Sequence, residues 1–271
     1  MFNDLVQLER NLEKDFPQLM LALHSTIDST NGYLKTVPLE AFLCYATEQT
    51  GGYGQRGSSW YSSISDLTFS LQLPFSVSVH QLQGLSAMVA LEVVMALNDF
   101  YQCNAQIKWP NDLVMEVNEG GVEIAKLGGI LIEVHRSSHQ HCWLIIGIGL
   151  NGGTGNWFEP IPESLLALPK VGCDFSAYKQ EHNYAFFKAL IGALLQLSKD
   201  FTPGCFSASV EAFKKHDYFI PGQMVFVYDT GTMNKGVYQG IDAAGELCVR
   251  VNDQLRKYRS GSVSIRPCGN V

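Results

Sequence analysis

The chain has 271 residues, 46% of them hydrophobic and 17% charged, with a formal net charge of −7. That is material for a globular core in one large domain, or a large one plus a small one. The acidic balance, with no basic block, speaks against a general nucleic-acid binder. Seven scattered cysteines, none in a C-x-x-C pair, suit reduced thiols in a cytoplasm better than a disulfide frame or a zinc site.

Residues 1–20 read as a short amphipathic helix whose mixed charges suit neither a signal peptide nor an anchor. It is too small for a helix-turn-helix module, so no DNA binding is expected. The main body spans residues 21–219. "FLCYAT" (Phe42–Thr47) is a short buried strand, and "DLTFSLQL" (Asp66–Leu73) alternates like a second one. The longest apolar run, Leu85–Leu97, holds Glu92 and has 13 residues. A bilayer takes about 20, so no membrane span is expected; the run belongs to a helix, Leu85–Tyr101. Then come the strand-like runs "AQIKW", "LVMEV", "AKLGGILIEV" and "CWLIIGIGLN", with turns at residues 118–121 and 136–141. Links this short force antiparallel neighbours. After a loop with Pro160, Pro162 and Pro169, Asn183–Phe201 has helical spacing. From Pro221 four short strands follow ("QMVFVYD", "GVYQGID", "LCVRV", "LRKYR"), a small barrel over residues 220–271. The basic stretch "LRKYRSGSVSIR" reads as a solvated strand face. The fold class is α+β: a mainly antiparallel sheet with helices on one face, plus a small C-terminal β-barrel.

Between the first two strands, "GGYGQRG" places Gly52, Gly54 and Gly57 in a G-x-G-x-x-G spacing. A dinucleotide site needs a helix after such glycines, and here a strand follows, with no acidic residue about 20 positions on. The alternative is a flexible hairpin-like loop. "DSTNGYL" groups Ser29, Thr30 and Asn31 at a helix start, either as a simple N-cap or as a reader of a polar neutral ligand. "IKWPNDL" puts Lys108 in an apolar strand four residues before Asp112, which pairs with it, holds a metal, or merely belongs to a turn with Asn111. "AKLGGILIEV" sets Lys126 before Gly128 and Gly129; the readings are an edge lysine in water or a cation beside a gap in the strand, suited to an anion. Gly147, Gly149 and the strand-end Asn151 repeat the glycine device. With no G-x-S-x-G, H-E-x-x-H or Walker A sequence, these residues suit nucleotide-dependent activation of a carboxylic acid.

In order, "STNGYL", "EQTGGYGQRGSSW", "KWPNDL", "KLGGILIE" and "GIGLN" resemble the biotin–protein ligases, strongly from Ser25 to Asn151 and more weakly into the C-terminal barrel. The resemblance implies a domain related to class II aminoacyl-tRNA synthetases followed by an SH3-like domain. It implies ATP, Mg²⁺ and biotin as reactants, a biotinyl-5'-AMP intermediate, and biotin carboxyl carrier protein of acetyl-CoA carboxylase as acceptor. Lys126 would bridge the biotin carboxylate and the α-phosphate. Ser29, Thr30, Asn31 and Gln49 would read the biotin ring, with Gly129 and Gly147 lining its slot. Gly52, Tyr53, Gly54 and Gln55 would form a lid over biotin. Lys108, Asn111 and Asp112 would serve the nucleotide and magnesium side, with Arg56, Trp60 and Asn151 also at the nucleotide. The family loop usually reads G-R-G-R, whereas this chain has Tyr53 and Gln55, so the intermediate is expected to be held less tightly. Lipoate or octanoate transferases of the same fold, and a weakly catalytic biotin binder, are the alternatives. Family members often pair through the main sheet edge, which leaves a homodimer open.

Overall fold

The computed structural model describes residues 1–2, 4–119, 122–153, 156–157, 170–229, 231–261 and 263–268. The proline loop expected around Pro160 and the glycines of the turn at 118–121 lie outside them. Helix α1 (Leu5–Asp15) starts where the Asp4 carboxylate accepts from Gln7 N at 3.0 Å, and it buries Leu8 and Leu12, one turn apart. Strand β1 (Met20–Ile27), helix α2 (Thr30–Leu34) and strands β2 (Phe42–Gln49) and β3 (Leu67–Phe75) follow. Helix α3 (Leu85–Tyr101) has the ends read from the sequence; it is apolar nearly all round and buries nine residues. Then come β4 (Gln106–Lys108), β5 (Asp112–Glu119), β6 (Val122–Ser137), β7 (Cys142–Leu150), the two-residue strands β8 (Asn156–Trp157) and β9 (Lys170–Val171), and helices α4 (Gln180–Asp200) and α5 (Val210–His216).

The main sheet runs β1-β2-β3-β7-β6-β5-β4, with β9 on β6 and β8 on β9. Every pairing along the main path is antiparallel except β1 with β2. Strand β1 was not anticipated: "MLALHSTI" mixes His24, Ser25 and Thr26 into an edge strand whose burial never becomes complete.

Alternation divides the sheet into two faces. Leu43, Tyr45, Phe69, Leu71, Leu144, Ile146 and Ile148 point into the large core shared with α1, α3 and α4. Phe42, Cys44 and Ile145 point the other way and pack with Leu34 of α2. The helices expected on one face are thus joined by a short one on the opposite face.

Strands β10 (Met224–Asp229), β11 (Thr232–Ile241), β12 (Leu247–Val251), β13 (Gln254–Tyr258) and β14 (Val263–Pro267) form a second sheet, ordered β13-β12-β11-β10-β14. It has five strands, not four: "LRKYRSGSVSIR" breaks into exposed β13 and a separate β14, whose Val263 and Ile265 are buried beside β10. Residues Thr232 to Lys235, expected in a turn, lie in β11. The two sheets meet where Trp109 Nε1 donates to the Gly245 carbonyl at 3.1 Å and the Tyr238 hydroxyl donates to the Asp217 carboxylate. No helix among the described residues is long and apolar enough to cross a membrane.

Candidate active site

An open cleft of about 260 Å³ lies on the α2 face of the sheet, where β3, β7, β6 and β5 run side by side. A register irregularity places its central charge. Leu113 pairs with Gly128 but Val114 pairs with Lys126, leaving Leu127 as an extra residue in β6. Leu127 and Gly128 both turn toward the core, so Lys126 emerges on the same face as Gly129 despite the odd spacing. Strand β6 is interior, between β7 and β5, which removes the edge-lysine reading.

Lys126 Nζ donates to Asp112 Oδ1 at 2.6 Å, and Lys108 Nζ reaches Asp112 Oδ2 at 3.4 Å. The Lys108 side chain is 10% exposed, against 29% for Lys126 and 25% for Asp112. Burial alone would raise the Asp112 carboxyl, but the two ammonium groups outweigh it and hold the group below its ordinary range. Burial lowers the Lys108 ammonium, only partly offset by Asp112. Two cations against one anion leave an excess positive charge, and Lys126 is the more open cation. Asn111 Nδ2 donates to the Ile130 carbonyl at 3.1 Å, holding the turn that presents Asp112.

The other end of the cleft is neutral. Ser29 caps α2, its Oγ accepting from Gly32 N at 3.2 Å, so the simple N-cap is present as well as the cleft position. Gln49 Oε1 accepts from Thr30 N at 2.8 Å and Thr30 Oγ1 at 3.1 Å, which fixes the amide with its Nε2 donor turned away. Ser70 Oγ lies 2.6 Å from Asn31 Oδ1 and 2.7 Å from Thr30 Oγ1, its one proton serving either. Asn31 Nδ2 donates to Glu133 at 2.8 Å. Thr30, Asn31, Gln49 and Ser70 are thus each oriented by another side chain.

The glycines of β7 make room for protein. A Cβ on Gly147 would collide with the Asn31 amide, and one on Gly149 with the Trp60 indole. Gly128 is needed on the core side, where a Cβ would meet the Gly149 carbonyl at 2.6 Å and Leu150 at 2.7 Å. The expected glycine floor is therefore largely covered by Asn31 and Trp60, which themselves face the cleft. Trp60 Nε1 is buried without a hydrogen-bond partner among the described residues, and Lys126 Nζ lies 5.7 Å from the indole centre.

The glycine loop is a closed hairpin between β2 and β3. Trp60 N donates to the Gly52 carbonyl at 2.9 Å and Gly54 N to the Ser58 carbonyl at 2.7 Å. Arg56 sits at its tip with φ 59° and is exposed. Tyr53, Gly54, Gln55 and Arg56 face the cleft, whereas Gly52 lies behind it, with no space for a Cβ beside the Trp60 carbonyl at 2.6 Å.

Of the candidate residues singled out from the sequence, Gly52, Gly57, Gly128 and Asn151 lie off the cleft wall. Asn151 is 3% exposed and its Nδ2 donates to the Lys126 carbonyl at 2.8 Å, so it supports the lysine from behind. Sequence reasoning missed Ser70, Lys35 and Glu133, and also Val263 and Ser264, which the C-terminal sheet contributes to the wall. A hydroxyl in "LTFSLQL" and a carboxylate in "GILIEV" break apolar runs as Lys126 does, and that signal was available.

Residues 23–151 match the biotin/lipoate A/B protein ligase family, and residues 222–266 match the biotin protein ligase C terminal domain. The bifunctional ligase/repressor BirA of Salmonella typhimurium is 26% identical over 253 residues, which covers 91% of this chain and 74% of that protein. BirA of Escherichia coli is 24% identical over 250 residues, with the same shares. Among solved structures, the biotin protein ligase from Aquifex aeolicus in complex with biotin and ATP superposes with a TM-score of 0.69 at 22% identity, over 91% of this chain and 98% of that one. Fold and cleft define a two-part ligase architecture, a catalytic α+β sheet followed by a small β-domain. The chain carries, in this order, a biotin/lipoate A/B protein ligase domain and a biotin protein ligase C terminal domain.

Proposed function

We propose that this protein joins biotin to ATP as biotinyl-5'-AMP and then transfers the biotinyl group to a lysine of a biotin carboxyl carrier protein, that of acetyl-CoA carboxylase. The observation that carries the reading is one cleft with a neutral, pre-oriented hydrogen-bonding end and a doubly cationic end around Asp112. Biotin has the matching polarity, a neutral ureido ring at one end and a carboxylate at the other.

In the first step a biotin carboxylate oxygen attacks the α-phosphorus, the bond to the β-phosphate oxygen breaks, and pyrophosphate leaves. Lys126 would lie between carboxylate and α-phosphate, neutralising charge that grows on the phosphoryl oxygens. Lys108 keeps Asp112 charged, and Asp112 orients Lys126. In the second step the carrier amine attacks the acyl carbon, AMP departs, and the amine loses a proton.

Asp112 is the acidic side chain on the cleft wall among the described residues, and no cluster of three metal-ligating side chains occurs among them. Magnesium would therefore travel with the phosphates of the nucleotide, with Asp112 the carboxylate in reach, and would offset phosphate charge. Lipoate offers a dithiolane in place of the ureido ring and would bring no hydrogen-bonding group to the neutral end formed by Thr30, Asn31 and Gln49.

The test is pyrophosphate release from ATP with biotin or with lipoate, with and without carrier domain. Biotin-dependent release followed by carrier labelling is expected. Activity with lipoate alone would reassign the substrate.

A further inference from the structure

One carboxylate beside the cleft gathers three donors from two other elements. Glu133 of β6 receives Lys35 Nζ at 2.8 Å, the Tyr53 hydroxyl at 3.0 Å and Asn31 Nδ2 at 2.8 Å. Lys35 Nζ also donates to the Tyr53 hydroxyl oxygen at 3.0 Å and lies 5.3 Å from the centre of the Tyr53 ring. Tyr53 belongs to the glycine loop, while Lys35 and Asn31 come from α2 and its C-cap. Burial would raise the Glu133 carboxyl, but Lys35, Asn31 and Tyr53 outweigh it and keep it charged.

A tyrosine at this loop position offers a bound adenylate no cation. Its hydroxyl can, however, donate and accept at once, and here it does both, closing a ring of Lys35, Tyr53 and Glu133. The same carboxylate fixes the Asn31 amide, whose oxygen accepts from Ser70. The position of the loop and the orientation of the ring reader therefore share one anchor.

We propose that Glu133, Lys35 and Tyr53 form a latch that holds the glycine loop down on the cleft and sets Asn31 for the ureido ring. The chain would thus secure with protein contacts a loop that the resembling family arms with arginine. The role for Asn31 rests on the biotin-ligase reading; the latch itself does not. Tyr53 and Glu133 are positioning residues.

Arg56 makes the latch measurable, because it is the one lysine or arginine between Lys35 and Lys108 and trypsin cleavage there yields a unique pair of fragments. Cleavage needs the loop to open. Without substrates, Tyr53→Phe and Glu133→Gln should each be cut at Arg56 at least about fivefold faster than wild type, since each loses at least one hydrogen bond of the latch. The double variant should be no faster than the faster single one, since both open the same latch. Wild-type cleavage rates in both single variants, or fully additive effects, would overturn the proposal.

A second arm uses biotin, ATP and magnesium. Tyr53→Phe should raise KM for biotin and the escape of adenylate severalfold, with kcat for carrier labelling held within about twofold. A fall in kcat at unchanged KM would place Tyr53 in the chemistry and overturn the positioning role. A wild-type protein that releases no pyrophosphate with biotin would defeat the functional reading and, with it, the role for Asn31, while the cleavage arm still decides the latch.

Discussion

Asp112 and Asp217 flank the same short strand from opposite edges, and their carboxyls are driven in opposite directions. Asp112 pairs across to Lys108 of β4, while Asp217 bridges Ile107 on the other side. Asp217 meets the Tyr238 hydroxyl and Phe219 N, the latter at 3.1 Å, and no lysine or arginine ion-pairs with it among the described residues. Burial pushes it up to about 7. Asp112 suffers the same desolvation but lies between two ammonium groups and is held down. Burial therefore does not make a working charge here; the lysines do. One carboxyl joins two sheets, and the other holds the two lysines of the cleft together.

The sharpest way to break that contrast is Lys126→Met, which keeps the apolar stem and removes the cation. Biotin-dependent pyrophosphate release should fall about 10³-fold, on the scale of losing a main transition-state contact, with little change in thermal stability. Activity within tenfold of wild type would remove the cluster from the chemistry.

Asp217→Asn probes the other carboxyl. A carboxyl whose folded pKa is raised binds its proton more tightly in the native state, so its contribution is fully present below the unfolded value. That contribution is lost as pH rises toward the folded value of about 7. The stability of wild type relative to Asp217→Asn should therefore decline between about pH 4 and about pH 7, by a few kcal/mol at most, and level off above. Urea unfolding across that range measures it. A difference that is flat, or that rises with pH, would mean Asp217 is charged at the junction.

How much of this was legible depended on whether local pattern or long-range register set the outcome. Helix α3 was readable to its ends because a long apolar segment stops where Gly84 and Gln102 leave helical geometry, with φ 83° and 51°. The charged triad was readable as residue types, since lysines in apolar strands require partners. That Lys126 shares a face with Gly129 was not readable: it depends on the bulge at Leu127, and a one-residue slip inverts a strand. Strand β1 was missed because its parallel pairing with β2 supports an edge that looks polar. The latch was missed because Tyr53 was read as a lost arginine, and Lys35 and Glu133 lie 98 residues apart.

The neutral end of the cleft offers a gentler contrast. Ser70→Ala removes the hydroxyl that orients Asn31 and touches Thr30, without touching a charge. The cost of one buried hydrogen bond, about 1 kcal/mol, should appear as a KM for biotin about fivefold higher, with kcat nearly unchanged. Equal losses in kcat and kcat/KM would mean that the neutral end acts in the transition state, as the charged end is argued to do.

The smallest effect expected lies in the loop. Gln55 faces the cleft and Tyr53 is engaged by Glu133, so on the proposed reading the loop would meet the adenylate with Arg56 alone, exposed at its tip. Gln55→Arg adds a cation on the cleft side without disturbing the latch. Adenylate escape should slow about two- to threefold at low salt, the scale of one partly exposed ion pair. Half-molar salt should erase most of the gain, because it shortens the screening length to a few ångströms, about 4 Å. A gain that persists in high salt would have to come from a hydrogen bond made by the new guanidinium. No gain at all would mean that the latch, rather than charge on the loop, limits escape. The contrast between charged and neutral ends would then extend to the lid, which in this chain would belong to the neutral side.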